Sequence, residues 1–273
     1  MARLPIATNS PDIGECIYCG SRAEPLSREH AVPYGLNGPW TLLRASCSSC
    51  AIITHKFERD SLRDLWLPIR AVLQLNTRRP QDRPRALPLI LESNGIRRTI
   101  DVPIAEFPGY LPIPVFPPPG IVVGRSREER VDPTFQFQHV RGPTFETVAA
   151  RFPGTDFVGG RVTLKPEMYA RMLAKIAYCA AVHAIGIAPV RRSPLRDVIL
   201  GIDRDVFHWV GSWQGEQMND SKGLHSMQLH ASGSDLHVIL RLFAQFGAPE
   251  YHVSLGVADE AFVASSAWPW HDA

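Results

Sequence analysis

Long apolar runs are missing from this chain of 273 residues: nowhere do eighteen apolar residues follow one another, so no transmembrane helix is expected. The opening segment MARLPIATNSPDIGE has no apolar stretch of the kind a secretory leader needs. The expectation is a cytoplasmic protein with no membrane partner. Lysine is scarce as well, being confined to Lys56, Lys165, Lys175 and Lys222, so arginine carries almost all of the positive charge. The net charge is +2, too small to argue for a polyanionic partner by itself. With 24 prolines in the same chain, the arginine content reads as compositional bias as much as selection for phosphate contacts. At 45% hydrophobic and 21% charged residues, the composition excludes a disordered chain. The length suits one large domain or two small ones, and no internal repeat divides it.

Cysteine is sparse but patterned. Four of the five cysteines fall in two pairs, Cys16-Ile17-Tyr18-Cys19 and Cys47-Ser48-Ser49-Cys50, with 27 residues between them. In a reducing compartment such pairs are read as thiolate ligands rather than disulfides. Together they can place four sulfurs tetrahedrally about one structural Zn²⁺, in two tight knuckles. A unit of some 75 residues has a thin core, and a zinc crosslink supplies folding energy that it would otherwise lack. Cys179 stands alone in an apolar helical stretch and reads as a small core residue.

The fold class expected is α+β. Residues 1–75 form a first, zinc-braced unit in the order strand, loop, strand, helix. Its pieces are a strand-like segment around Cys16–Gly20, a loop through Pro33 to Pro39, a strand at Trp40–Ser46, and a helix over residues 51–75 with Pro68 as its stop or kink. Residues 76–88, rich in arginine and proline, read as a linker, with a phosphate-contacting arm as the alternative. Residues 89–273 form a larger α+β unit of unassigned role. It has a hairpin turning at Asn94-Gly95, a proline-rich stretch from Pro103 to Pro119 unfit for a central strand, and a strand at Phe135–Val140. One long helix runs from Pro166 to Ile185 with Gly186 as its stop, and later strands are expected at Phe207–Val210, Met227–Leu229, Leu236–Phe246 and Tyr251–Val257. His237 and His252 are candidate cross-strand neighbours there, and His225 and His230, five apart, point to opposite strand faces.

The segment between and just after the knuckles carries the chemistry. Its text is C-IY-C-G, then EHAVPYGLNG, then ASCSSC followed by THKFE. Over residues 14–60 this resembles the HNH endonuclease family, whose ββα-metal module is often braced by two zinc knuckles. The resemblance implies a metal-dependent endonuclease acting on nucleic acid, DNA in the first place, and leaving a 5′ phosphate. It implies His30 as the general base that takes a proton from water, and Glu29 as a ligand of a catalytic divalent ion, Mg²⁺ or Mn²⁺. A closed four-thiolate zinc cannot do that chemistry, so the catalytic ion would be a second one.

Two positions depart from the family pattern. Leu42 falls where a middle asparagine is common, leaving Asn37 or a backbone carbonyl to orient the imidazole. Ala51 stands directly after the last cysteine, where His or Asn is common. His55, one helical turn on, is the candidate replacement ligand and Glu58 a further carboxylate. Arg28, Arg44, Lys56 and Arg59 are the candidate phosphate contacts. Leu42 and Ala51 also support a reading from another class, a non-catalytic zinc module that binds nucleic acid or a protein partner; a third reading is a zinc-stapled domain that only docks the C-terminal unit.

Overall fold

Apolar stretches of helical and of strand period alternate along the chain, and the computed structural model, which describes residues 10–23, 25–127, 129–213, 223–232 and 234–258, has an α+β fold. The first nine residues, part of the segment read for a leader, lie outside those described. Among the described residues no helix is long and apolar enough to cross a membrane.

The N-terminal part is a ββα unit: β1 (Ser27–His30) pairs antiparallel with β2 (Thr41–Ser46), and α1 (Ser48–Asp60) follows directly. The segment Cys16–Gly20 is a turn and not a strand. The Cys16 carbonyl accepts the Gly20 N–H at 2.8 Å, and Gly20 takes φ +77, a conformation that glycine adopts without a Cβ penalty. The strand that opens the unit is therefore β1, which carries Glu29 and His30. Nor does one helix run to residue 75. Ser61–Leu65 forms a wide π-type turn, with the Ser61 hydroxyl donating to the Phe57 carbonyl at 3.0 Å, and α2 (Leu67–Val72) begins anew. Pro68 lies in the first turn of α2, where a missing N–H costs nothing, so it starts a helix rather than stopping one.

Pro80–Asp82 makes a short 3₁₀ turn, and residues 86–88 already belong to the next strand. That strand, β3 (Ala86–Ser93), forms the expected hairpin with β4 (Ile96–Pro103) around Asn94-Gly95. Next comes β5 (Gly109–Val115), inside the proline-rich stretch. Pro112 and Pro114 cannot donate to a ladder, and β5 accordingly belongs to a two-stranded sheet in which every strand is an edge. The elements that follow are α3 (Gly120–Val123), β6 (Thr134–Arg141), which pairs with β5, α4 (Phe145–Ala149) and β7 (Phe157–Gly159), which adds to β3.

The long helix α5 spans Pro166–Ile185, as the Pro-start and Gly-stop signals predict. After it come α6 (Leu195–Leu200) and α7 (Val206–Trp209), then a sheet of β8 (Val210–Ser212), β9 (His225–Ser232), β10 (Asp235–Leu242) and β11 (Tyr251–Val257), ordered β8-β11-β10-β9. Two strand expectations are corrected here. Phe207–Trp209 is helical because Asp203 closes a turn, accepting the Asp205 N–H at 3.0 Å and the Trp209 indole N–H at 3.3 Å. The strand from Leu236 stops at Leu242, because Phe243 adopts φ +59 and opens a 3₁₀ turn.

Helix α5 is buried on nearly every side, from Tyr169 to Val182. It packs against α1 and α6 and against the β8–β11 sheet. One continuous buried core runs from Cys16 to Ala258. Specific bonds join the first knuckle to the C-terminal part. The Tyr178 hydroxyl donates to the Ile17 carbonyl at 3.0 Å, Arg196 donates to the Tyr18 carbonyl at 2.7 Å, and Arg191 grips Glu15 through two nitrogens at 2.5 and 3.1 Å. Trp66, fully buried, donates to the Pro112 carbonyl at 2.9 Å and meets Tyr169 and Phe243 edge-on. The ββα unit is thus set rigidly against α5, and that contact shapes the site.

Candidate functional site

Cys47 caps α1 and Cys50 sits in its first turn, while the Gly20 turn brings Cys16 and Cys19 to the same point. The four sulfurs all lie within 4.8 Å of one another, and Cys19 Sγ stands 3.7 Å from Cys47 Sγ. Thiolates held at ~2.3 Å from a tetrahedral zinc are separated by about 3.8 Å, so the cluster can hold a structural zinc ion. Burial pushes the Cys16 and Cys50 thiols up, and in Cys50 repulsion from Cys16 adds to it. A cation at the centre is what allows all four to lose their protons.

Beside this cluster a cleft of about 850 Å³ opens between the end of β1 and the face of α1. Its walls include His30 and His55, and six basic residues: Arg28, Lys56, Arg59, Arg63, Arg70 and Arg78. A second cleft of about 420 Å³, lined by Arg79 and Arg83, shares Arg63, Arg70 and Arg78 with the first. Arg70 is structural within this wall, donating to the carbonyls of Gly35 and Leu62 at 2.8 and 3.1 Å. Compared with models of protein families, with curated proteins and with solved structures, the chain matches none.

Three of the four arginine and lysine candidates from the sequence, Arg28, Lys56 and Arg59, are in the cleft wall. Arg44 is not. It sits at φ +46 on β2 and forms a two-pronged pair with Asp12, both contacts 2.8 Å, outside the cleft. Sequence reasoning did not single out Arg63 and Arg70, and it weighed Arg78 only as part of a connector or a phosphate-contacting arm. Their signal was a helix-to-linker run of arginines, which the tertiary fold brings to the same cleft as the end of β1.

His30 ends β1, opposite Thr41, with its ring 5.7 Å from that of Tyr34. Its Nδ1 is buried with no hydrogen-bond partner among the described residues. Burial holds its pKa below the usual 6.5, and the Lys175 ammonium adds to the effect, so the imidazole is neutral at pH 7. Asn37 does not orient it: the Asn37 carbonyl oxygen accepts the Asn76 N–H at 2.7 Å and pins the start of the linker. Leu42 is fully buried directly across the ladder from Glu29. His55 is exposed on α1, and Ala51 lies one turn before it on the cleft wall.

Glu29 and Glu58 converge, but on a lysine. Lys175 Nζ, from α5, lies 2.7 Å from Glu29 Oε1 and 2.8 Å from Glu58 Oε1. It also donates to the carbonyl of His30, and to that of Ala31 at 3.3 Å. The lysine side chain is 0% exposed, Glu29 9% and Glu58 17%, which leaves little of either carboxylate open to a second cation. Burial alone would push the ammonium toward neutrality, and the two carboxylates more than reverse that, so Lys175 stays charged. Glu58 is raised by its burial, against the pull of Lys175. A hydrated divalent ion wants about six oxygen ligands and repels a second cation nearby. The donor set expected for it, Glu29 and Glu58 with His55, does not fit such an ion, because its point of convergence is taken.

Proposed function

We propose that the cleft binds the phosphodiester backbone of nucleic acid, DNA in the first place, and that His30 hydrolyses it as general base. The observation that carries this reading is a neutral, half-buried imidazole in a cleft walled by arginine and lysine. The resemblance of residues 14–60 to the HNH pattern supports it. In the proposed step His30 takes a proton from water, and the oxygen adds to phosphorus in line with the 3′ oxygen. The P–O3′ bond breaks, the 3′ oxygen takes a proton from solvent, and His30 returns its own. Arginine and lysine side chains of the wall meet the charge on the phosphoryl oxygens. The zinc cluster acts as a brace that fixes β1 against α1.

A second reading is a zinc-braced module that binds nucleic acid without cutting it. Ala51 and the Lys175 ion pairs favour it, because both remove ligands that the family pattern uses. Plasmid nicking by the zinc-loaded protein separates the two, measured with and without added Mg²⁺ or Mn²⁺. The expected result is nicking by the wild type that His30→Ala abolishes with zinc content unchanged. Salt-dependent binding with no nicking by either protein refutes catalysis and leaves the second reading.

A further inference from the structure

Among the described lysines, Lys175 is the one placed in the core, and its surroundings are those of a bound cation rather than of a side chain. Two carboxylate oxygens and two backbone carbonyls surround one ammonium. An ammonium has three N–H donors, so four acceptors saturate it. Two acidic side chains are buried only when their charge is met, and here it is met from a helix 146 residues further along the chain than Glu29.

We propose that Lys175 is the resident cation of the cleft: its ammonium stands where the HNH pattern would put a divalent ion, and it positions the strand end that carries His30. Neighbouring strand residues point to opposite faces, so Glu29 and His30 cannot both serve one metal from a straight strand. Lys175 resolves this by a division of labour. It holds Glu29 on the inner side and ties the carbonyl of His30 itself, which leaves the imidazole on the cleft side. Lys175 touches no substrate and is a positioning residue. Helix α5, and with it the C-terminal unit, is then part of the site rather than an appendage. The occupancy of the carboxylates stands apart from any activity. Its catalytic consequence, that cleavage proceeds without a divalent ion, rests on the reading of the cleft given above.

The test is metal binding by the full zinc-loaded chain. Mn²⁺ is titrated in and free Mn²⁺ is followed by electron paramagnetic resonance. The wild type is expected to show no site tighter than about 1 mM that depends on Glu29. Lys175→Met uncovers two carboxylates, so it is expected to gain a Mn²⁺ site and to have its unfolding temperature raised by Mn²⁺, which leaves the wild type unmoved. A lysine that did not fill a cation's place between the carboxylates would give no such gain. Should Lys175→Met fail to fold in any medium, Lys175→Met combined with Glu29→Gln and Glu58→Gln is expected to recover the fold and bind no Mn²⁺. The wild-type titration decides the matter in either case. One Mn²⁺ bound per wild-type chain below that concentration, and lost in Glu29→Gln, overturns the proposal. A Mn²⁺ site that Glu29→Gln keeps lies elsewhere and leaves it standing. Absence of nicking under all ions would sink the nuclease reading and leave this measurement as informative as before.

Discussion

Acid should unfold this protein early, through buried histidines that are not part of the cleft wall. His225 is wedged between two backbone groups: its Nε2 donates to the Leu36 carbonyl at 2.6 Å and its Nδ1 accepts the Phe243 N–H at 3.3 Å. Protonating Nδ1 breaks the second bond and buries a charge. His252 lies on β11 beside His237 on β10, with ring centroids 4.9 Å apart, and against Trp213 at 5.4 Å. His237 in turn stacks on His230 of β9 at 5.3 Å. Burial lowers both His225 and His252 to about 4, and the neighbouring histidines add to the effect on His252. His237 is lowered to about 4 by burial and by His230, partly offset by Asp235. In the unfolded chain each histidine titrates near 6.5. The folded state therefore binds fewer protons, so these groups cost nothing above pH 6.5, and stability drains away as the pH falls from there toward 4. Between pH 7 and pH 5 His225 and His252 should each remove about 2 kcal/mol, together roughly 4 kcal/mol out of a typical 5–15. His237 acts in the same direction. Urea unfolding midpoints at pH 7, 6 and 5, with zinc saturating, measure the loss. In His225→Gln and in His252→Gln the drop between pH 7 and pH 5 should shrink by about 2 kcal/mol each. Protonation of the cysteine thiolates adds to the drop equally in all three proteins and cancels in the comparison. A midpoint that is flat across this range, or a pH dependence that both substitutions leave unchanged, would refute the reasoning.

Two further outcomes follow from the cluster and the cleft. Cys50→Ala removes one of four sulfurs and should take the zinc content from one per chain to none, with a stability loss on the order of 5 kcal/mol; elemental analysis and thermal unfolding check both. Arg63→Glu and Arg78→Glu alter the wall shared by the two clefts, and each should weaken DNA binding and lower the slope of log affinity against log salt by about 1, read by fluorescence anisotropy.

The parts of the fold that were legible in the sequence are those whose cause is local. Asn94-Gly95 is enough to set the hairpin β3–β4, and Pro166 with Gly186 brackets α5, because turn and cap chemistry act within a few residues. The four-cysteine cluster was legible for the same reason: each knuckle is a four-residue pattern, and only the joining of two knuckles is long-range. The errors also have local causes that the hydrophobic pattern hides. A left-handed Phe243 ends β10, an Asp203 turn winds Phe207 into a helix, and a π-type turn breaks the helix after Asp60.

Glu58 shows where such reasoning stops. Flanked by Lys56, Arg59 and Arg63, it reads from the sequence either as a cation ligand or as one more charge on a solvated helix face. The structure turns it inward, because α1 lies against α5 and the fourth side of the contact is a lysine. A signal was nevertheless present. The run Met168 to Val182 contains thirteen buried positions in a helix too apolar for any free charge, yet Lys175 stands in the middle of it. A charge cannot be buried there alone, since its desolvation would cost several kcal/mol, so an acidic partner was required. Periodicity could not say which acid. The structure supplies two, Glu29 and Glu58, both from the segment that carries the cleft. The lone lysine of the central helix was thus as informative about the site as the histidine in its wall.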